Sequence, residues 1–246
     1  MGGTKSPTCN TIATDVWRWC AERHIWLSAA HIAGQSNFIA DLNSRTFNEA
    51  TEWALNLKVF HNICTHFGSP VVDIMASASN HKVATYVSWH PDEHAFAIDA
   101  FNISWRQFSL IYCFPPFNMI GKCLMKIQRK CAEAILVIPC WTTQTWFPQA
   151  LRMLVQTPLL YSAHPKLLVS PGSEDTHPLA KKLSLLAIRV SGKHLPTQNY
   201  RMQLPTSSLH PGDPPHSANI TSYSGSGSCF ALNDRLIPTH KPLIVF

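Results

Sequence analysis

Charge is scarce in this chain: only 14% of its 246 residues are Asp, Glu, Lys or Arg, while 46% are hydrophobic. That balance excludes a wholly disordered, solvation-driven polymer and can support a buried core. Acids are scarcer than bases, 14 against 20, for a formal net charge of +6. The excess is thinly spread, so by itself it favours a nucleic-acid partner only weakly. No apolar run approaches the roughly 20 residues that a membrane helix needs, and no apolar leader follows the opening MGGTKSPTCN. The eight cysteines have irregular gaps and no CxxC pair. The apolar surroundings of Cys113, Cys131 and Cys140 read as buried reduced thiols rather than a disulfide frame. No membrane and an intracellular setting, cytoplasmic or nuclear, are therefore expected. No internal repeat is present.

What is present alternates helical and extended patterns. Ile12, Val16, Trp19 and Cys20 fall at helical spacing in TIATDVWRWCAER, 11–23; IWLSAAHI, 25–32, reads as a strand and FIADLNSR as a second helix. Apolar positions 50, 53, 54, 57, 60, 63 and 64 predict a helix across 47–67, closed by Gly68 and Pro70. VVDIMAS, 71–77, and the stretch ending at Cys113 read as short strands, 119–132 as a helix, and AILVIP, 134–139, as a strand buried on both faces in a parallel sheet. QTWFPQALRMLVQ predicts one more short helix, its start limited by Pro148. This order argues for an α/β layered architecture. Beyond 170 the composition turns to Pro, Ser, Thr, Gly and His, and 171–218 is expected to be a linker with one short amphipathic element.

The segment AAHIAGQSNFIADLNSR, 29–45, resembles the final strand and helix of RNase H domains in retroelement reverse transcriptases, through His31, Gly34, Asn37, Ala40, Asp41, Ser44 and Arg45. The resemblance implies that Asp41 corresponds to one of four carboxylates holding the catalytic magnesium ions, with His31 beside them. Two-metal hydrolysis needs several carboxylates converging on the ions, and the other three have no counterpart here. Residues 1–46 are thus expected to be an RNase H tail without nuclease activity.

Residues 67–149 resemble the adenine-N6 methyltransferase-like (Dam-like) domain that follows RNase H in DIRS-type retroelements. The carriers are FGSPVVDIMASASN, YVSW with Asp92, DAF at 99–101 with Trp105, YCFPPF, and VIPCWTTQTWFP. The resemblance implies a Rossmann-like domain over 47–170, with S-adenosylmethionine as cofactor only if methyl transfer is retained. Asp73 and Asp99 would be its candidate cofactor-binding carboxylates. Phe114, Pro115, Pro116 and Phe117 occupy the catalytic loop. Such loops begin with a polar residue that accepts a hydrogen bond from the target amine; Phe114 has no acceptor, and losing a positioned acid-base group forfeits about 100-fold to 10,000-fold in rate. Phe117 keeps an aromatic face for stacking. No Gly-rich turn follows a strand to hold the methionine end of S-adenosylmethionine.

Trp89, Trp105, Trp141, Trp146 and Phe147 read mainly as core aromatics, with a base-stacking platform as the sharper alternative. Lys122, Lys126, Arg129 and Lys130 lie near one helical face and are candidate phosphate contacts for DNA or an RNA–DNA hybrid. Residues 219–246 resemble the first helix and turn of a recombinase core-binding domain. Three functional expectations stand together: a non-catalytic, weakly nucleic-acid-binding piece of a retroelement polyprotein, an active adenine-N6 methyltransferase, and a pseudogene product without function.

Overall fold

The computed structural model describes residues 6–27, 53–171, 176–206, 229–244 and 246. It divides into two compact units, Met1–Phe47 and Asn48–Phe246. In the first, helix α1 spans Pro7–Ala21. It begins earlier than the apolar spacing alone predicts because Ser6 caps it, accepting from the Cys9 amide at 3.4 Å, and Pro7 starts its first turn. Cys20 is buried while Ile12, Val16 and Trp19 are exposed. Residues 25–27 form no strand; the rest of that expected strand, with His31, and the expected helix carrying Asp41 lie outside the described residues.

The second unit is a three-layer α/β fold. Two short strands, β1 (Ala54–Leu55) and β8 (Leu168–Val169), pair antiparallel at its margin. Within the described part of the helix expected across 47–67, α2 follows β1 and runs Leu57–Phe67, with Asn56 accepting from the Lys58 amide at 2.9 Å. Gly68, at φ 94, ends α2 and donates to the Cys64 carbonyl. Val59, Phe60, Ile63 and Phe67 bury one face of α2, worth about 1.5–3 kcal/mol each.

The central sheet comprises β2 (Val72–Ala76), β3 (Tyr86–Ser88), β4 (Ala97–Ile98), β5 (Ile111–Cys113), β6 (Glu133–Pro139), β7 (Leu159–Tyr161) and β9 (Leu185–Ser191). Its spatial order is β4-β3-β2-β5-β6-β9-β7. The first five strands are parallel; β9 inserts antiparallel between β6 and β7. This mixed sheet is compatible with a methyltransferase-like fold. The chain enters at β2, moves outward to β4, then returns to β5 on the other side of β2, so a topological switch lies between β2 and β5.

Side chains alternate across the sheet and build two cores. Ala134, Leu136 and Ile138 of β6 join the core beneath helices α3 (Ile120–Lys130) and α4 (Phe147–Arg152), whereas Ile135 and Val137 face the core beneath α2. Both faces of β6 are buried as its apolar run predicts, but its neighbours are parallel β5 on one side and antiparallel β9 on the other.

Three expectations are corrected here. The segment expected as linker supplies β9, every residue of which except Arg189 is buried, and helix α5 (His194–Gln203). The closing segment, expected to open a helix, forms the hairpin β10 (Cys229–Leu232) and β11 (Arg235–Pro238), turned by Asn233 and Asp234 at positive φ. Cys131 is exposed, because it occupies the left-handed cap of α3 at φ 50, while Cys113 is buried and Cys140 half-buried.

Candidate functional site

A cavity of about 470 Å³ opens at the carboxyl ends of the parallel strands, on the switch between β2 and β5. Open α/β sheets place ligands there because consecutive loops diverge to opposite sides and leave a crevice. Four loop segments line it: Met75 and Ala76 ending β2, Ser88 and Trp89 ending β3, Asp99 to Phe101 after β4, and Phe114 to Phe117 after β5.

The turn after β2 is closed upon itself. Asn80 Oδ1 accepts the Ser77 amide at 2.8 Å, the Ser77 and Ser79 hydroxyls meet at 3.0 Å, and the His81 amide donates to the Ser77 carbonyl. Asp73 lies deeper. Its Oδ2 accepts the Lys82 amide at 2.9 Å and its own amide donates to the Thr85 carbonyl, so it fastens the β2–β3 loop from below. Burial pushes the Asp73 carboxyl up to about 6, against the backbone N–H groups of Lys82 and Met75 and the nearby His81 and Lys82, which pull it down.

Asp99 stands at the cavity wall with φ 60, a strained position for a non-glycine residue that Asp tolerates through local bonding. Its Oδ1 accepts the Phe101 amide at 2.9 Å and its amide donates to the Ser88 carbonyl at 2.8 Å. The two candidate cofactor-binding carboxylates are therefore separated: Asp99 lines the large cavity, and Asp73 lines only a small one behind it.

Phe114 divides the two spaces, lining both. Pro115 is buried and Pro116 exposed, so the loop passes from core to rim within two residues fixed in φ. Phe117 turns its ring edge-on to Trp141, with centroids 5.1 Å apart and planes at 78°. Trp53, Leu168 and His177 roof the cavity; Trp53 and His177 meet edge-on at 4.8 Å. Sequence reading missed this roof, because Trp53 fell within a helical pattern and His177 within the supposed linker.

Among the expected aromatics, Trp105 is fully buried and donates to the Ala100 carbonyl at 2.7 Å, a core role, while Trp89 is exposed at the cavity mouth. The basic face of α3 is not one patch. The Lys126 ammonium donates to the Phe101 carbonyl and lies 5.9 Å from the Phe101 and Trp105 rings, so it ties α3 to the loop after β4. Lys122 is exposed in the first turn near the cavity, and Arg129 and Lys130 are exposed in the last turn, toward the opposite end of the strands.

Residues 43–163 match the family model of DNA N-6-adenine-methyltransferase (Dam). No curated protein matches the chain. The Dam match ends just beyond β7 and leaves out β9, the strand that joins β7 to the rest of the sheet. A Dam-like domain implies S-adenosylmethionine as cofactor and DNA as partner. The volume of the cavity and the carboxylate of Asp99 suit a nucleoside. At the end of β2 the Ser77 amide is taken by Asn80, and the loop after β5 brings Phe114 and Phe117 to the cavity wall.

Proposed function

We propose that this chain is a piece of a retroelement polyprotein whose Dam-like domain keeps the fold and crevice of an adenine methyltransferase, binds nucleic acid, and does not transfer methyl groups. The observation that carries the reading is Phe114. It stands on the cavity wall at the first position of the Pro-Pro loop, where a polar group would have to accept the amine hydrogen and ready its lone pair. Asp99, on the loop after β4, gives its Oδ1 to the Phe101 amide, and Asp73 lines only the smaller space behind the ring. The retroelement origin rests on the likeness of 29–45 to an RNase H tail directly ahead of the Dam-like domain. The setting that goes with it is intracellular, cytoplasmic or nuclear.

Tritium transfer from labelled S-adenosylmethionine to adenine-containing DNA tests the reading. No incorporation above a protein-free control is expected at any DNA concentration. Incorporation that rises with protein would establish an active methyltransferase instead.

A further inference from the structure

The three helices packed on one face of the sheet share a feature that residue order hides. Helices α3, α4 and α5 contain Lys122, Lys126, Arg129, Lys130, Arg152 and Arg201, and not a single Asp or Glu. All three cover the same core: Ile120, Leu124 and Ile127 from α3, Phe147 and Leu151 from α4, and Tyr200 from α5 pack there. They are also neighbours, because Gln149 of α4 donates to Gln128 of α3 at 3.3 Å, and Arg201 of α5 donates to the Arg152 carbonyl at 3.2 Å.

At the α4–α5 end, Arg152, Arg201 and Arg235 of β11 line one groove, together with Tyr200. Arg201 donates to the Arg152 carbonyl and Arg235 to the Leu204 carbonyl at 2.6 Å. These bonds hold the Arg201 and Arg235 side chains in place while using one guanidinium nitrogen of each, and a guanidinium carries five N–H donors. Among the described residues none of the three pairs with a carboxylate; Glu133 is engaged by Arg189 and Lys193. The three helices carry no acid, Asp234 of the β10–β11 turn is the acid beside Arg235, and arginine forks along one groove are the chemistry that recognises phosphate oxygens.

We infer that this helical layer is the nucleic-acid-binding surface of the protein, with the Arg152–Arg201–Arg235 groove gripping backbone phosphates and Arg129 and Lys130 extending the track. The inference rests on the nucleic-acid reading above. It places contact on the flank of the sheet, on α3 and α4 within the family match and on α5 and β11 beyond it, and not on the crevice alone.

The test is fluorescence anisotropy of a labelled single-stranded oligonucleotide with the full chain across a salt series. R152Q/R201Q/R235Q is expected to weaken binding about tenfold at low salt and to reduce the slope of log affinity against log salt by about 2, since each phosphate contact on a single strand contributes about 0.7. R129Q/K130Q, which changes two exposed side chains, is expected to lower the slope by about 1 without altering the thermal melt, so the result does not hinge on the groove variant folding. K166Q/K181Q/K182Q removes equal charge from the other side of the sheet and should leave the slope unchanged. If that variant loses as much slope as the groove variant, or neither helical-layer variant changes it, the assigned surface is wrong while nucleic-acid binding stands. If the unaltered protein shows no binding at low salt, or binds anionic phosphatidylserine vesicles and not the oligonucleotide, the nucleic-acid reading itself falls.

Discussion

Asp73 Oδ1 and the Tyr112 hydroxyl line the same small cavity, both screened from solvent and neither holding a hydrogen-bond partner. Burial, followed by the charge of Asp73, holds the Tyr112 hydroxyl well above its ordinary range. Burial also raises the folded-state carboxyl of Asp73 to about 6, above the 3.8 of the unfolded chain. The folded state therefore binds this proton more tightly. That contribution to stability is complete below about pH 4 and is lost as pH rises through about 6; at neutral pH the buried carboxylate costs about 3 kcal/mol.

Replacing this carboxylate by its neutral isostere, Asp73→Asn, is expected to raise stability by about 1–3 kcal/mol at pH 7. The amide oxygen can still accept from Lys82, and its NH2 can face the Tyr112 oxygen. At pH 4 the gain should vanish, because Asp73 is then already neutral in the fold. Urea unfolding at the two pH values decides the matter; an equal change at both would refute the assignment of a raised carboxyl.

Phe114→Asn is expected to lower stability by about 1–3 kcal/mol, because the ring packs against the core beneath α2 and separates the two cavities. The same change places an acceptor at the head of the Pro-Pro loop. Methyl transfer is nevertheless expected to stay undetectable, since the Ser77 amide remains occupied by Asn80. Measurable transfer by this variant would show that residue 114 alone withholds activity.

Trp105→Phe keeps most of the buried volume and removes the indole N–H that serves the Ala100 carbonyl. A loss of about 1–3 kcal/mol is expected from leaving that carbonyl unpaired. Thermal and urea melts should agree on it; no loss would mean that the carbonyl finds another donor.

Gly192→Ala is expected to be among the most damaging small substitutions. A Cβ there would fall on the Ile127 carbonyl oxygen and within 2.9 Å of Cys131 Cα, both backbone of the α3 terminus. Backbone cannot rotate aside as a side chain does, so about 3 kcal/mol or more of overpacking cost is expected in a denaturant titration.

The parts of the fold legible in the sequence were those whose burial dictates composition. Continuous apolar β6, β-branched β2 and the amphipathic faces of α2 and α3 follow from side chains forced inward on one or both faces. Strand β4, only two residues long, carries no periodicity to read. Strand β9 was obscured by polar, proline-rich flanks, although LLAIRVS is as apolar as a two-sided strand demands. At the site, the Pro-Pro loop and Asp99 lie on the large cavity, whereas Asp73 is a buried fastening that lines only the small one behind it. Trp53 and His177 were invisible because the roof is assembled from segments far apart in the chain.

The insertion of β9 between β6 and β7 also sets an order of events. During synthesis, β6 and β7 leave the ribosome with a strand's width between them and every backbone group along that gap unpaired. Only when residues 185–191 have emerged can the ladder from Glu133↔Ser191 to Pro139↔Leu185 close and Leu159–Tyr161 dock on its far side. The matched region is therefore not a self-sufficient folding unit, and a fragment ending near residue 163 is expected to expose two sticky sheet edges and aggregate.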